Sequence, residues 1–352
     1  MASESNNYPD NFTSPSSIAS TDKEVARELL PLLRVYTDGS VERLLGSPVV
    51  PPSSPDPETG VFSKDITIST NPNISARIYH PNFSQSKYDP NYHDNENGQK
   101  LPILVYLHGG GFCIESAFSF LDHRYLNRIV SESRALAISV EYRLAPESPL
   151  PAAYEDCWTA LRWVAAHSGA LEQVLGREPW LISHGDFGRL YIGGDSAGGN
   201  IAHNVALRAA TESLPCGVKL RGVFLAHPFF WGSKPIGSEP KEGFENSLER
   251  LVWEFVYPSV PGGINDPTIN PVSGIGAPSL AGLACSRMLV CVAKKDRLRE
   301  RGVWYYEAVK ESGWKGEVEL FEVEEEDHAF HIFYIDSQNA NNMIKRLASF
   351  LV

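Results

Sequence analysis

The sequence predicts an α/β fold, with a mostly parallel sheet covered by helices on both faces. Two observations point there. Short apolar runs recur at Leu101–Leu107, 135–142, 190–192, 223–226 and 288–293. Helix-length segments separate or follow them at 119–134, 151–167, 199–212 and 299–312. Continuous apolar runs suit strands buried on both faces, and strands that alternate with helices suit parallel crossovers.

The remaining elements follow in chain order. Residues 1–22 are rich in Ser, Asn and Pro and read as a flexible tail. Over 23–33, Val25, Leu29, Leu30 and Leu33 recur at helical spacing and predict a short amphipathic helix. Residues 49–57 are proline-rich and read as extended chain. Alternation at 66–69 and 74–79 predicts two half-buried strands, and the polar stretch 82–100 predicts a surface loop. Residues 229–285 interrupt the alternation with Pro, Gly and aromatic residues around one helix-like stretch at 248–257. They are expected to cover the C-terminal edge of the sheet. Residues 319–323 read as a last strand, and Ala340, Met343, Ile344, Leu347 and Phe350 as the apolar face of a final helix.

Composition excludes several functions. The chain has 352 residues, 42% apolar and 21% charged, so it can bury a core and is not a disordered type. No stretch approaches the ~20 apolar residues of a membrane helix. A formal charge of −12 with no basic cluster argues against a nucleic-acid partner. Cys113, Cys157, Cys216, Cys285 and Cys291 are odd in number and contain no C-x-x-C pair, so neither a disulfide framework nor a zinc site is expected. No metal or other cofactor is implied, and the expected partner is a small-molecule substrate. Oligomeric state is not readable. The N-terminus lacks the basic and apolar pattern of a signal peptide, which makes the cytoplasm the expected compartment and gives the Asn-x-Ser/Thr triplets at Asn11, Asn73 and Asn82 little weight.

Two motifs carry chemistry. Gly194-Asp195-Ser196-Ala197-Gly198 follows an apolar run and precedes a helical pattern. A sharp strand-to-helix turn of this kind presents a serine at a helix N-terminus, where N–H groups and the helix dipole favour negative charge. The five-residue pattern alone is common; its setting makes it specific. His108-Gly109-Gly110-Gly111 follows another apolar run. Glycines there expose backbone N–H groups, and acyl transfer needs such donors for its oxyanion, each worth roughly 3 kcal/mol of barrier. No Lys-Ser/Thr follows, which excludes a P-loop.

A serine needs a base, and the base an orienting acid. Asp296 lies just beyond the run 288–293, and His328 just beyond 319–323. Functional loops of parallel sheets gather at such strand ends. Ser196, Asp296 and His328 are the candidate triad. His331 is a rival base, and Asp327 and Glu300 are rival acids. His108 is expected to brace the glycine loop and His203 to be structural.

With these motifs the chain resembles the plant carboxylesterase branch of the α/β-hydrolase fold, related to the hormone-sensitive-lipase group. The resemblance runs from about Lys23 to Val352. It is carried further by Tyr142-Arg143-Leu144-Ala145-Pro146-Glu147, Pro151-Ala152-Ala153-Tyr154-Glu155-Asp156 and Ile344-Lys345-Arg346-Leu347-Ala348-Ser349-Phe350. Residues 35–44 and 229–239 resemble 2-hydroxyisoflavanone dehydratases and their esterase-like relatives. The resemblance implies Ser196, Asp296 and His328 as catalytic residues, and the N–H groups of Gly110, Gly111 and Ala197 as the oxyanion hole. It also implies one domain over 23–352, with a cap built from about 23–60 and 229–285. Some dehydratases of the branch carry Thr at the nucleophile and Ala at the third glycine, whereas this chain keeps Ser196 and Gly111. Serine carboxylesterase activity on an apolar ester, such as a plant specialised metabolite, is therefore the first expectation. Dehydration of a 2-hydroxyisoflavanone is the second, and a non-catalytic receptor the third.

Overall fold

The computed structural model describes residues 23–82, 100–169, 177–273 and 276–352. The expected tail, and nearly all of the expected 82–100 loop, lie outside them.

Eight strands form the central sheet. β4 (Phe62–Thr70) and β5 (Asn73–His80) are an antiparallel pair at one edge. Inward from them come β7 (Leu136–Glu141), β6 (Leu101–Leu107), β8 (Gly185–Asp195), β9 (Leu220–Ala226), β10 (Arg287–Ala293) and β11 (Glu317–Val323), in that spatial order. The pairs from β7 through β11 are all parallel. Chain order reverses around β6, since β7 lies on one side of it and β8 on the other. A sheet with this reversal leaves a crevice beyond the C-terminal ends of β6 and β8.

Strand alternation feeds two apolar layers. Ile103, Val105 and Leu107 point to one layer with α2 (Ala152–Ala166), α4 (Ala197–Thr211) and α6 (Arg299–Glu311). Leu104 and Tyr106 point to the other with α1 (Phe120–Ser133) and α8 (Gln338–Phe350). Both layers are buried, which is why these strands read as unbroken apolar runs.

The expected helix over 23–33 is not there. β1 (Val25–Leu29), β2 (Leu33–Tyr36) and β3 (Val41–Arg43) form a separate three-stranded antiparallel sheet. The helical spacing was coincidental, because Val25 and Leu30 are exposed while Leu29, Leu32 and Leu33 are buried. Pro31 also sits where a helix would need its missing N–H. The chain turns instead, with the Leu32 N–H donating to the Leu29 carbonyl at 2.7 Å. The interruption at 229–285 contains α5 (Leu248–Val256), whose Phe255 ring lies 4.3 Å from the Arg27 guanidinium. A short α3 (Pro179–His184) precedes β8, and α7 (Phe330–Phe333) precedes α8. Among the described residues no helix is long and apolar enough to cross a membrane.

Candidate active site

β8 ends at Asp195 and α4 begins at Ala197, which leaves Ser196 alone to turn the chain. Its φ of 51° and ψ of −115° are strained for a residue with a side chain. The turn is held by the Ser196 N–H donating to the Ala226 carbonyl at 2.8 Å, and by the Ser196 carbonyl accepting from Phe229 N–H at 2.9 Å. Gly198 makes the close approach possible. A Cβ there would lie 1.9 Å from the Leu107 carbonyl oxygen, so the helix could not press against the end of β6.

The loop after β6 stands beside this turn. Gly110 has a φ of 96°, and its carbonyl accepts from the N–H groups of Cys113 (3.1 Å) and Ile114 (2.9 Å), curling the loop back. His108 braces it, with Nδ1 2.9 Å from the Gly109 carbonyl and its ring stacked on Tyr142. Gly110 and Gly111 line the same cavity as Ser196. Ala197 opens α4, where an N–H has no partner within the helix.

His328 and Asp296 meet the serine from two other loops. The Ser196 Oγ lies 3.0 Å from His328 Nε2, and His328 Nδ1 lies 2.9 Å from Asp296 Oδ2. Leu298 N–H donates to Asp296 Oδ1 at 2.9 Å. A carboxylate only accepts, so His328 carries its proton on Nδ1 and offers the Nε2 lone pair to the serine hydroxyl. Burial works against charge on His328. The Asp296 charge and hydrogen bond, with Asp195 and Asp327 beyond, outweigh it and hold the pKa up at about 8. Burial would raise Asp296, but His328 and His227 hold it below the usual carboxylate range.

None of the rivals joins the line from Ser196 through His328 to Asp296. His331 is buried, and its ring nitrogens make no hydrogen bond among the described residues. His203 packs in the core, its Nδ1 2.8 Å from the Tyr305 hydroxyl. Asp327 is exposed, lines the cavity and accepts from the His328 backbone N–H at 2.7 Å. Glu300 accepts from Ser238 Oγ at 2.7 Å, away from the serine.

Sequence reasoning missed His227, which places Nδ1 3.0 Å from the same Asp296 Oδ2. Its one signal was its position directly after the buried run 223–226, at a strand end. It also missed Asp195 as a buried acid. Burial pushes Asp195 up to about 6, against a lowering hydrogen bond from the Tyr106 hydroxyl to its Oδ1. Among the described residues, one cluster has the composition of a metal site. It is His227, Asp296 and His328, with ligand atoms within 4.8 Å of one another. Both histidines turn Nδ1 to a single carboxylate oxygen, an arrangement of two donors on one acceptor.

The cavity has a volume of about 560 Å³. Leu32 from the turn between β1 and β2, Leu45 just beyond β3, and Leu248 and Val252 from α5 contribute apolar wall, along with Phe229. The other aromatic residues of 229–255 serve the core: Trp231 stacks on Phe244, and the Trp253 indole N–H donates to the Gly263 carbonyl at 3.0 Å.

A family model described as the α/β hydrolase fold matches residues 104–332. Over 337 residues the chain is 59% identical to a 2-hydroxyisoflavanone dehydratase of Glycyrrhiza echinata, a match spanning 96% of this chain and 99% of that one. It is 46% identical over 332 residues to the "Probable carboxylesterase 2" of Arabidopsis thaliana, spanning 94% and 98%. Among solved structures, an esterase of Pyrobaculum calidifontis superposes with a TM-score of 0.62 at 28% identity, over 82% of this chain and 84% of that one. With a parallel sheet reversing at β6, a serine on the turn after β8 and a glycine loop beside it, the chain belongs to the α/β-hydrolase family, in the plant branch that holds carboxylesterases and 2-hydroxyisoflavanone dehydratases.

Proposed function

We propose that this enzyme is a serine carboxylesterase acting on a small or medium apolar ester. One observation carries the reading: the unbroken line from Ser196 Oγ through His328 to Asp296, at 3.0 and 2.9 Å, opening on an apolar-walled cavity. His328 takes the hydroxyl proton as Ser196 attacks the ester carbonyl. Asp296 keeps the imidazole in the required tautomer and stabilises the imidazolium. The N–H groups of Gly110, Gly111 and Ala197 receive the oxyanion, and His328 returns the proton to the departing alkoxide. Water then repeats the sequence on the acyl-enzyme. In this reading residues of about 23–60 and 229–285 form a cap whose apolar side chains select the substrate.

A second reading is favoured by the Glycyrrhiza echinata relative. In dehydration of a 2-hydroxyisoflavanone, His328 would remove the proton beside the ketone, and the glycine loop would steady the enolate oxygen as hydroxide leaves. Ser196 would then only bind. The test is Ser196→Ala, assayed with p-nitrophenyl acetate and a 2-hydroxyisoflavanone side by side. We expect ester turnover to fall by about 10⁴-fold or more with the fold intact. Turnover within tenfold of wild type excludes the nucleophile. Dehydration in the wild type that survives the substitution establishes the second reading.

A further inference from the structure

We propose that His227 is a positioning residue of this site, sharing the Asp296 carboxylate with His328 and dividing that carboxylate's charge between two N–H donors. The inference rests on the triad reading above. His227 follows β9 directly and is fully buried. Its backbone is held in the left-handed region, at a φ of 48°, by its N–H donating to the Cys291 carbonyl at 2.8 Å. That conformation is unfavourable for a residue with a side chain, yet it aims Nδ1 at Asp296 Oδ2, 3.0 Å away. The carboxylate is thereby fixed on both oxygens. Leu298 N–H holds Oδ1, and the two imidazoles converge on Oδ2.

Packing alone does not call for an imidazole here. The ring lies among Phe330 at 5.8 Å, His331 at 5.2 Å and His328 at 5.5 Å, and its Nε2 has no hydrogen-bond partner among the described residues. A buried polar atom left unpaired is unfavourable, and an apolar side chain would avoid it. What the imidazole adds is the single N–H on Asp296.

The charged and titratable groups facing the two rings come from three places. Asp296 comes from the turn after β10, Asp327, His328 and His331 from the loop and α7 that follow β11, and Asp195 from the end of β8. Burial lowers the His227 pKa, so it acts as a neutral donor and not as a second cation. Removing its N–H concentrates the Asp296 charge on His328. His328 then holds its proton more tightly, and the free base needed for attack appears only at higher pH.

The test compares His227→Asn with His227→Leu in the full-length enzyme, following kcat and KM for p-nitrophenyl acetate against pH. Asn keeps an N–H near the position of Nδ1 and tolerates left-handed backbone. Leu fills volume without a donor. We expect the acid limb of kcat/KM to move up by about 0.5 to 1 pH unit in His227→Leu, cutting the value at pH 7 about three- to tenfold with KM little changed. His227→Asn should keep the wild-type limb. If Leu does not fold on this backbone, His227→Gly carries no left-handed penalty and no donor, and should show the same movement. An unmoved limb in the donor-less variant overturns the proposal and leaves His227 as packing. If Ser196→Ala retains hydrolysis, the triad reading fails and this proposal fails with it; an inactive Ser196→Ala with an unmoved limb defeats this proposal alone.

Discussion

At the scale of single residues, His328 as the proposed base makes activity and stability depend on pH in opposite directions. In the proposed mechanism it takes the Ser196 proton only as the free base, and the Asp296 charge beside it holds the pKa up at about 8. Ester hydrolysis should therefore rise with pH, with an acid limb in kcat/KM near 8. Stability should move the other way. A group whose pKa is higher in the folded state stabilises it fully below the unfolded value, about 6.5, and loses that contribution as pH rises through about 8. Comparing wild type with His328→Gln by denaturant midpoint at pH 6 and pH 9 checks this, since the wild-type advantage should shrink at pH 9. The same few residues show what could be read in advance. Ser196, Asp296 and His328 each lie just past an apolar run, and the three meet within 3.0 Å steps. His227 lies just past such a run too, but no motif surrounds it. Its role depends on a left-handed backbone and a neighbour 69 positions away, and neither leaves a local pattern.

At the scale of elements, a buried ion pair anchors the excursion from the sheet. The Arg301 guanidinium on α6 binds Glu239 through Nε at 2.7 Å and Nη2 at 2.8 Å, and its Nη2 also donates to the Lys234 carbonyl. Their side chains are only 3% and 2% exposed. Removing one partner strands a charge, which typically costs about 3–5 kcal/mol. Glu239→Ala should therefore lower the unfolding free energy by that amount, and Glu239→Leu with Arg301→Met should recover most of it. A double variant whose loss, measured by urea titration, equals the sum of the Glu239→Leu and Arg301→Met losses would show that the pair is not coupled. This anchor was not visible in the sequence, because residues 229–285 have no periodicity that says what they touch. The N-terminal sheet was misread for a related reason. Four leucines and valines matched a helical stripe, but tertiary pairing of β1 with β2 decided the structure, as it does wherever a short segment has weak local preference. The parallel half was legible because burial on both faces leaves strands apolar at every position.

At the scale of the whole molecule, charge should shape substrate choice. The formal charge is −12, and at the cavity Glu249, Glu325, Glu326 and Asp327 outnumber Lys295 and Arg297. Such a field opposes anionic substrates and weakens with ionic strength. We expect a neutral p-nitrophenyl acetate to exceed the anionic p-nitrophenyl hemisuccinate in kcat/KM, with the ratio narrowing as salt rises from 20 to 500 mM, roughly as screening predicts. A ratio indifferent to salt would mean that shape alone discriminates. The cavity wall has one more consequence, for chain synthesis. Leu32 and Leu45 leave the ribosome before the sheet strands that carry the serine, yet they line the cavity with Leu248 and Val252, more than two hundred positions later. Contacts this distant in sequence close slowly and late. A nascent chain stalled after α4 would already have its Ser196 turn and glycine loop in sequence, but the pocket around them would still lack one wall. The emerging polypeptide therefore carries the serine well before it has a place to hold an ester.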